Sequence, residues 1–464
     1  MNPVSLRSRG FFVTAGPTGG KIAMEYQDKE YYKIEGGVCL SGRVRVSGAK
    51  NAVLPMLAAV TLTRAECIIH HVPSLRDVQV MTQILRLLGV KVEMVEAGLN
   101  GGLTLVTQAD SLTTHVIKDN LSRQMRSSIF LMGPLLGRLG EVRIAYPGGC
   151  AIGPRPIDLH LRGLAAMGAR ITEKHGYILA QAARLHGADI HLDFPSVGAT
   201  ENLIMAAATA EGVTTLRNVA KEPEIVDLQN FLSGMGVRIR GAGTDTIRVE
   251  GVGRLGGTEH TVIPDRIEAG TFMASAAFSG GEVRVENVVP EHVESISAKL
   301  REAGVTVQEG RNWISVKGPR KLKAVDVKTL PYPGFPTDML PQMMAIMTTA
   351  DGSSIITETI FEQRFSQAEE LRRMGANIRI EGRTAVVKGV PGLTGAEVEA
   401  SDLRSGAALV LAGLVAEGTS CVEGVYHIDR GYENLEGKLR GLGAAITREK
   451  MQGAANRLDS GQLD

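Results

Sequence analysis

The feature that most constrains the fold of this chain is a unit that occurs six times along it. In each copy an amphipathic helical pattern ends at a glycine, and a short run of alternating apolar residues follows. A glycine at this point is typical of a left-handed helix cap, and the alternation is typical of a half-exposed strand. The glycines, which are 68 to 79 residues apart, are Gly89, Gly168, Gly236, Gly304, Gly375 and Gly443.

Each unit also opens in a similar way, with a short strand, a loop and a helix of small or apolar residues. Helices that are apolar nearly all round are buried, whereas the glycine-terminated helices are apolar on one face only. The sequence therefore predicts an α/β fold of six units, with sheets outside and helices within. The openings are residues 47–51, 123–127, 196–200, 265–270, 335–339 and 402–406.

Basic residues lie at several of these openings, where the helix macrodipole would favour acids. Lys50, Arg126 and Arg404 are examples. Cations at a helix start make sense if an anionic ligand binds there, so a local basic pocket is one interpretation. Ser, Thr and Asp at the same openings are equally explained as ordinary helix N-caps. Both interpretations stay open at this point.

Composition excludes several classes of partner. The chain has 464 residues with 51 Lys and Arg against 50 Asp and Glu, and this balance argues against nucleic acid or an anionic membrane as the main partner. Cys39, Cys67, Cys150 and Cys421 show no metal-ligand spacing, so no metal site is predicted. The longest apolar runs, such as residues 407–416, are too short to span a bilayer.

Residues 146–156 form a segment with three glycines and three prolines, which is typical of neither helix nor strand. The segment contains Cys150, and Arg155 nearby would favour its thiolate. Cysteine is more often a small buried apolar residue. A reactive and a buried Cys150 are therefore both considered.

Eight short motifs occur in one order between residues 33 and 447. They are residues 47–51, 147–150, 153–160, 195–200, 264–268, 335–338, 361–365 and 427–432. Together they resemble the motifs of the UDP-N-acetylglucosamine 1-carboxyvinyltransferase family. The resemblance implies the enolpyruvyl transferase fold, which is an α/β fold of two domains, each an inside-out α/β barrel of three units.

The resemblance also implies domain boundaries. The first domain would comprise residues 50–263. The second would comprise residues 33–49 together with residues 264–449, because the N-terminal strand of this family returns to the second domain. Residues 1–32 are then expected to be a disordered extension and residues 450–464 a tail.

The activity that the resemblance implies is transfer of the enolpyruvyl group of phosphoenolpyruvate to the 3′-hydroxyl of UDP-N-acetylglucosamine. Phosphate is released by addition and elimination, in the first committed step of peptidoglycan synthesis. The two substrates are the implied partners, the implied location is the cytoplasm, and no cofactor is expected. The family's cysteine is the target of fosfomycin, a phosphonate epoxide that resembles phosphoenolpyruvate.

The resemblance assigns roles to individual residues. Asp338 is matched to the base at the 3′-hydroxyl and Cys150 to the acid at C3, although Asp338 would also serve as a helix cap. Lys50 and Arg430 complete the predicted catalytic set. The predicted substrate-binding residues are Lys50, Asn51, Arg126, Arg155, Pro156, Ile157, Asp158, Leu159, Ser196, Val197, Gly198, Asp338, Ile360, Arg364, Arg404 and Arg430.

Some features depart from the family pattern or admit another explanation. Phe194 stands where some relatives have a lysine near the nucleotide, which leaves open what holds the diphosphate. Glu222 and Glu224 flank Pro223 at a helix start and are explained as capping residues. The alternatives considered for function are a shikimate-pathway enolpyruvyl transferase, a catalytically silent paralogue that binds nucleotide sugar, and a repeat scaffold for protein partners.

Overall fold

The computed structural model describes residues 30–96, 102–148 and 157–450. Single strands and groups of two or three strands are interspersed with helices in these ranges. The strands are β1 Glu30–Glu35, β2 Ser41–Arg45, β3 Glu66–Val72, β4 Lys91–Glu96, β5 Leu103–Gln108, β6 Val116–Ile117, β7 Glu141–Ala145, β8 Arg170–Lys174, β9 Tyr177–Gln181, β10 Asp189–His191, β11 Val213–Arg217, β12 Arg238–Arg240, β13 Thr246–Glu250, β14 Thr258–Thr261, β15 Glu282–Glu286, β16 Thr306–Glu309, β17 Trp313–Lys317, β18 Val327–Lys328, β19 Ser353–Thr357, β20 Asn377–Glu381, β21 Thr384–Lys388, β22 Glu397–Glu399, β23 Thr419–Glu423 and β24 Ala445–Lys450.

The helices belong to two kinds, buried and amphipathic. None of them, within the described ranges, is both long and apolar enough to cross a membrane. Short 3-10 helices lie at Val60–Leu62, Arg126–Leu131, Pro290–Val293 and Thr337–Met339. The α-helices are α1 Lys50–Ala59, α2 Arg76–Leu87, α3 Asp119–Ser122, α4 Met132–Leu139, α5 Asp158–Ala166, α6 Val197–Ala207, α7 Pro223–Gly234, α8 Arg266–Ser279, α9 Glu294–Glu302, α10 Leu340–Met347, α11 Gln367–Arg373, α12 Leu403–Val415, α13 Val425–Ile428 and α14 Leu435–Gly441.

The described strands form six separate four-stranded sheets that share one design. In every sheet one neighbouring pair is parallel and two are antiparallel, which confirms the six predicted units. Because the sheets are separate, the predicted barrels are sheets arranged around helices and not hydrogen-bonded cylinders. The strand orders are β14-β3-β5-β4, β6-β7-β9-β8, β10-β11-β13-β12, β2-β15-β17-β16, β18-β19-β21-β20 and β22-β23-β1-β24.

The repeated glycines end the amphipathic helices as predicted. All six have φ between 92° and 99°, a region that strains any residue with a Cβ atom. In the first unit the Gly89 amide donates to the Arg86 carbonyl and the Val90 amide donates to the Leu85 carbonyl, at 3.1 and 2.9 Å. These bonds satisfy carbonyl groups that the helix end leaves without partners.

The helices that open the units are buried, again as predicted. Every residue of α12 except Val415 is buried, and α8, α10 and α12 pack against one another. Complete burial of one leucine such as Leu409 contributes roughly 1.5–3 kcal/mol. The amphipathic helices, such as α2, bury one face only.

The buried apolar residues form two hydrophobic clusters. One draws on residues between Ala49 and Val262, and the other combines Tyr32–Val46 with Ile267–Ile446. We refer to residues 50–263 as the first half and to residues 30–49 with 264–450 as the second half. The clusters support the predicted domain division, which itself remains a prediction.

The N-terminal strands lie in sheets of the second half. Strand β1 lies between β23 and β24, and β2 pairs with β15. Strand β14 closes the first half by returning to β3. Because β1 begins at Glu30 and β24 ends at Lys450, residues 30–32 and 450 belong to a sheet and not to the predicted extension and tail.

Two short connectors join the halves, and they run side by side. The Ala49 amide donates to the Ile263 carbonyl at 2.7 Å, and the Asp265 amide donates to the Ser47 carbonyl at 2.9 Å. Both covalent links between the halves therefore pass through one hydrogen-bonded pair of segments, residues 46–49 and 262–265.

Candidate active site

A cavity of about 690 Å³ is lined by residues of both halves. Its size is typical of a site for small molecules. Most of the residues predicted to bind substrate lie on its wall. They are Lys50, Asn51, Arg126, Asp158, Leu159, Ser196, Val197, Gly198, Asp338, Ile360, Arg364, Arg404 and Arg430.

Four other predicted residues are not seen on this wall. Ile157 is 7% exposed and its side chain packs in the core of the first half, directly before α5, so its contact with substrate stays a prediction. Its apolar side chain anchors the start of that helix, while Asp158 and Leu159 point to the cavity. Cys150, Arg155 and Pro156 lie outside the described residues.

Helix capping accounts for some of the unit openings. Ser196, Asp265 and Asp402 each accept backbone hydrogen bonds at the start of α6, α8 and α12. Asp338 does not have this role, because the N-cap of its 3-10 helix is Pro336. The carboxylate of Asp338 instead contacts two arginines on the cavity wall.

Asp338 is held by two buried arginines. Arg364 Nη2 lies 2.7 Å from Asp338 Oδ1, and Arg404 Nη2 lies 3.0 Å from Oδ2. The arginine side chains are each 2% exposed, whereas that of Asp338 is 27% exposed. Two opposite charges at this distance favour the ionised carboxylate and fix its orientation.

A second carboxylate, Asp77 on α2, holds the other two predicted catalytic cations. Lys50 Nζ lies 2.7 Å from Asp77 Oδ2, and Arg430 Nε lies 2.9 Å from Oδ1. Burial would raise the pKa of Asp77, but Lys50 and Arg430 hold it below its ordinary value. Arg430 belongs to the second half, so this group joins the halves at the cavity.

Glu222 and Glu224 also line the cavity, which their interpretation as caps did not foresee. Glu222 is the N-cap residue of α7 but makes no side-chain capping bond, so the capping explanation is wrong for it. Glu224 Oε1 accepts from Arg266 Nε at 3.0 Å, a second ion pair between the halves. Burial raises the pKa of Glu222, while Arg266 opposes that rise and Glu224 adds to it.

Two further buried groups on the wall were not predicted. Burial and the nearby Arg126 lower the pKa of His160 to about 3, so this imidazole is neutral. Its Nδ1 lies 3.0 Å from Asn202 Nδ2, and Asn202 Oδ1 accepts from the Gly133 amide at 2.8 Å. The other group is Glu201. A glutamate within the apolar sequence of α6 is the signal from which it could have been predicted.

The cavity is not a basic pocket by formal charge. Among the described residues its wall contains seven basic and seven acidic side chains. Several acids hold the cations in place, as Asp77 and Asp338 do. The described ranges contain no group of three or more His, Cys, Asp or Glu residues arranged to hold a metal ion.

Comparison with known proteins places the chain in a family. A family model described as EPSP synthase (3-phosphoshikimate 1-carboxyvinyltransferase) matches residues 34–439. UDP-N-acetylglucosamine 1-carboxyvinyltransferase 1 of Symbiobacterium thermophilum is 62% identical over 429 residues, which cover 92% of this chain and 97% of that protein. The chain belongs to the UDP-N-acetylglucosamine 1-carboxyvinyltransferase family.

Other relatives and solved structures agree with this assignment. A UDP-N-acetylglucosamine 1-carboxyvinyltransferase 1 of Caldanaerobacter subterraneus subsp. tengcongensis is 56% identical, over 91% of this chain and all of that protein. The enolpyruvyl transferase NikO from Streptomyces tendae superposes with a TM-score of 0.81 at 24% identity, over 92% of this chain and 100% of that chain. EPSP synthase from Acinetobacter baumannii superposes at 0.71 and 20% identity, over 91% of this chain and 100% of that chain. The fold is thus the enolpyruvyl transferase fold that the sequence predicted.

Proposed function

We propose that the protein transfers the enolpyruvyl group of phosphoenolpyruvate to the 3′-hydroxyl of UDP-N-acetylglucosamine and releases phosphate. Membership of a family whose members are named for this reaction supports the proposal. The observation that carries it is the position of Asp338, an oriented carboxylate on the wall of a cavity of about 690 Å³. A hydroxyl nucleophile needs a base at this kind of position.

The reaction requires three proton transfers, one from the 3′-hydroxyl, one to C3 and one from C3. In the addition step Asp338 takes the proton of the 3′-hydroxyl as its oxygen bonds to C2 of phosphoenolpyruvate, and C3 gains a proton. In the elimination step the bond between C2 and the phosphate oxygen breaks and C3 loses a proton. The family resemblance assigns the acid at C3 to Cys150, since a thiol can donate that proton.

The charged groups of the substrates need several cations. Arg364 and Arg404 lie beside the base, and Lys50 and Arg430 share Asp77 across the halves. Arginine suits carboxylate and phosphate because its donors form a planar fork. We assign the phosphate and carboxylate of phosphoenolpyruvate to Lys50, Arg404 and Arg430, and to Arg155.

The nucleotide sugar is assigned to the wall of the first half. Arg126, Asp158, Leu159 and the Ser196–Gly198 segment line the cavity there, with Asn51 beside Lys50. Ile360 and Arg364 would contact it from the second half. We place the reaction in the cytoplasm, as the first committed step of peptidoglycan synthesis, with these two small molecules as partners.

Phosphate release tests the proposal against its alternatives. Purified protein with phosphoenolpyruvate should release phosphate when UDP-N-acetylglucosamine is added, and not when shikimate 3-phosphate is added. Turnover with shikimate 3-phosphate would identify the other carboxyvinyltransferase. Tight binding of UDP-N-acetylglucosamine without phosphate release would identify a silent paralogue.

A further inference from the structure

Glu201 is a buried acid on the cavity wall that the proposed reaction does not use. It lies on α6, is 1% exposed, and shares its helix face with Val197 and Gly198, which also line the cavity. Neither carboxyl oxygen of Glu201 has a hydrogen-bond partner among the residues that the structure describes. A polar group in this position is normally satisfied, and leaving it unsatisfied costs stability.

The charges around Glu201 indicate its protonation state. Glu222 and Glu224 act on it electrostatically, and Glu224 is itself paired with Arg266 at 3.0 Å. Burial, followed by these two acids, raises the pKa of Glu201 well above its usual range. The raised pKa favours the neutral carboxyl group, which offers one O–H donor and one carbonyl acceptor.

The same surroundings restrict what can bind to this carboxyl group. An anion would be repelled by Glu222 and Glu224, and these residues do not form a group suited to a metal ion within the described ranges. An uncharged group that accepts a hydrogen bond fits both the donor and the buried position. Amides and hydroxyls belong to this class.

We propose that Glu201 determines specificity for the sugar acceptor by donating a hydrogen bond from its carboxyl group to an uncharged amide or hydroxyl substituent of the sugar ring. The inference rests on the proposed function, because that function supplies the sugar. It goes beyond that function because it assigns Glu201, the buried acid of α6, to recognition of the sugar.

Two variants and one control test this role. Glu201→Gln keeps the size, the neutral charge, a donor and an acceptor, whereas Glu201→Leu removes both polar atoms. Thr214→Val is the matched control, because Thr214 is 1% exposed and its hydroxyl lacks a partner among the described residues, but it does not line the cavity. The measurements are KM and kcat for each substrate and the unfolding temperature of the free protein.

We expect Glu201→Leu to raise KM for UDP-N-acetylglucosamine by about 10- to 100-fold, since the substrate group is left unpaired, and to leave KM for phosphoenolpyruvate within about 3-fold. The free Glu201→Leu protein should unfold at the same or a higher temperature than wild type. Thr214→Val should stay within about 3-fold of wild type for each substrate, and Glu201→Gln, which keeps a donor, should recover most of the affinity that Glu201→Leu loses.

Several outcomes would overturn the role. One is a Glu201→Leu protein with an unchanged KM for the nucleotide sugar, and another is equal loss for both substrates together with a lower unfolding temperature. If Glu201→Leu does not fold, Glu201→Gln decides: a large loss of activity in that variant would mean that an ionised carboxylate is required. Wild-type turnover tests the proposed function separately, and if it fails, calorimetric binding of UDP-N-acetylglucosamine to the same variants still tests Glu201.

Discussion

Asp338 combines two properties that a catalytic base needs, a fixed orientation and access to the cavity. Arg364 and Arg404 contact separate oxygens of its carboxylate, and about a quarter of the side chain remains exposed, at 27%. The same ion pairs also help to hold the 3-10 helix, since Arg364 Nε donates to the Thr337 carbonyl at 3.3 Å. The residue is therefore both structural and, in our proposal, catalytic.

Replacement of Asp338 by asparagine separates these two roles. We expect kcat to fall by about 100-fold or more, which is the range for loss of a general base. Binding of UDP-N-acetylglucosamine, measured by calorimetry, should be retained because the amide keeps the size and an acceptor oxygen. Asp189→Asn, which alters an exposed carboxylate paired with Arg217, is the control and should leave kcat unchanged. A normal rate in Asp338→Asn would disprove the assignment of the base.

Cys150 lies outside the described residues, so its role rests on the family resemblance. We expect the phosphonate epoxide fosfomycin to alkylate Cys150 selectively. Peptide mapping after the treatment would identify the labelled cysteine. Cys150→Asp should retain turnover, because a carboxyl group is another proton donor, and should resist alkylation. Cys150→Ala should lose turnover. Label on Cys39, Cys67 or Cys421 with Cys150 untouched would contradict the role.

The buried acid Glu201 should make stability depend on pH. Its folded pKa is raised, so the unfolded chain loses this proton at a lower pH than the folded protein does. Stability should then fall by about 1.4 kcal/mol for each pH unit above the unfolded pKa of about 4.3, until the folded pKa is reached. Glu201→Gln removes this term, so its unfolding temperature should exceed that of wild type by more at pH 8 than at pH 5. An equal difference at both pH values would show that Glu201 is ionised in the folded protein.

At the scale of the element, local pattern was informative wherever local chemistry decides the structure. The six glycines were predicted from spacing because a left-handed cap is a property of four or five consecutive residues. Glu222 was misjudged, and the buried packing of the Ile157 side chain was not predicted, because the environment of both residues depends on residues distant in sequence. The neighbours of Glu222 include Arg266 from the second half, and the side chain of Ile157 packs into a core that its motif does not reveal.

The repeated caps allow a test of backbone strain without steric conflict. Gly236 has φ of 99° and Gly253 does not have a positive φ, yet a Cβ atom at either position meets nothing within 4 Å. We expect Gly236→Ala to lower the free energy of unfolding by about 1–2 kcal/mol. Gly253→Ala should be neutral or stabilising by up to about 1 kcal/mol, through the unfolded chain. Equal effects in urea denaturation would contradict the role of the cap.

At the scale of the molecule, the halves meet at the connectors and at the cavity. The Asp77–Arg430 and Glu224–Arg266 ion pairs cross between them and line the same space in which the substrates are proposed to bind. We expect the halves to move as rigid bodies about the paired connectors when an anionic ligand competes for these arginines. The pairing of acids with cations at the cavity depends on contacts between residues that are far apart in the sequence. The sequence therefore did not predict Asp77, Glu224 or Arg266 as partners in ion pairs.

Because β1 lies between two strands of the second half, we expect that half not to fold by itself when the chain is divided between residues 263 and 264. A fragment of residues 264–450 lacks the strand that separates β23 from β24, and it also lacks β2 beside β15. Unpaired edges of this kind promote aggregation. We expect this fragment to be insoluble when expressed by itself and to become soluble when residues 1–263 are co-expressed, with recovery of phosphate release. A soluble, cooperatively unfolding fragment 264–450 would contradict this expectation.

Strands β1 and β2 precede the first half in the chain but lie in sheets of the second half, and this arrangement has a genetic consequence. A gene split once between codons 263 and 264 would give two products, neither of which contains every strand of the second half. The product with residues 1–263 would contain β1 and β2 without the strands they pair with. The other product would contain those partner strands without β1 and β2. The two products would then form an obligate heterodimer, and the two genes that encode them could be gained or lost only together.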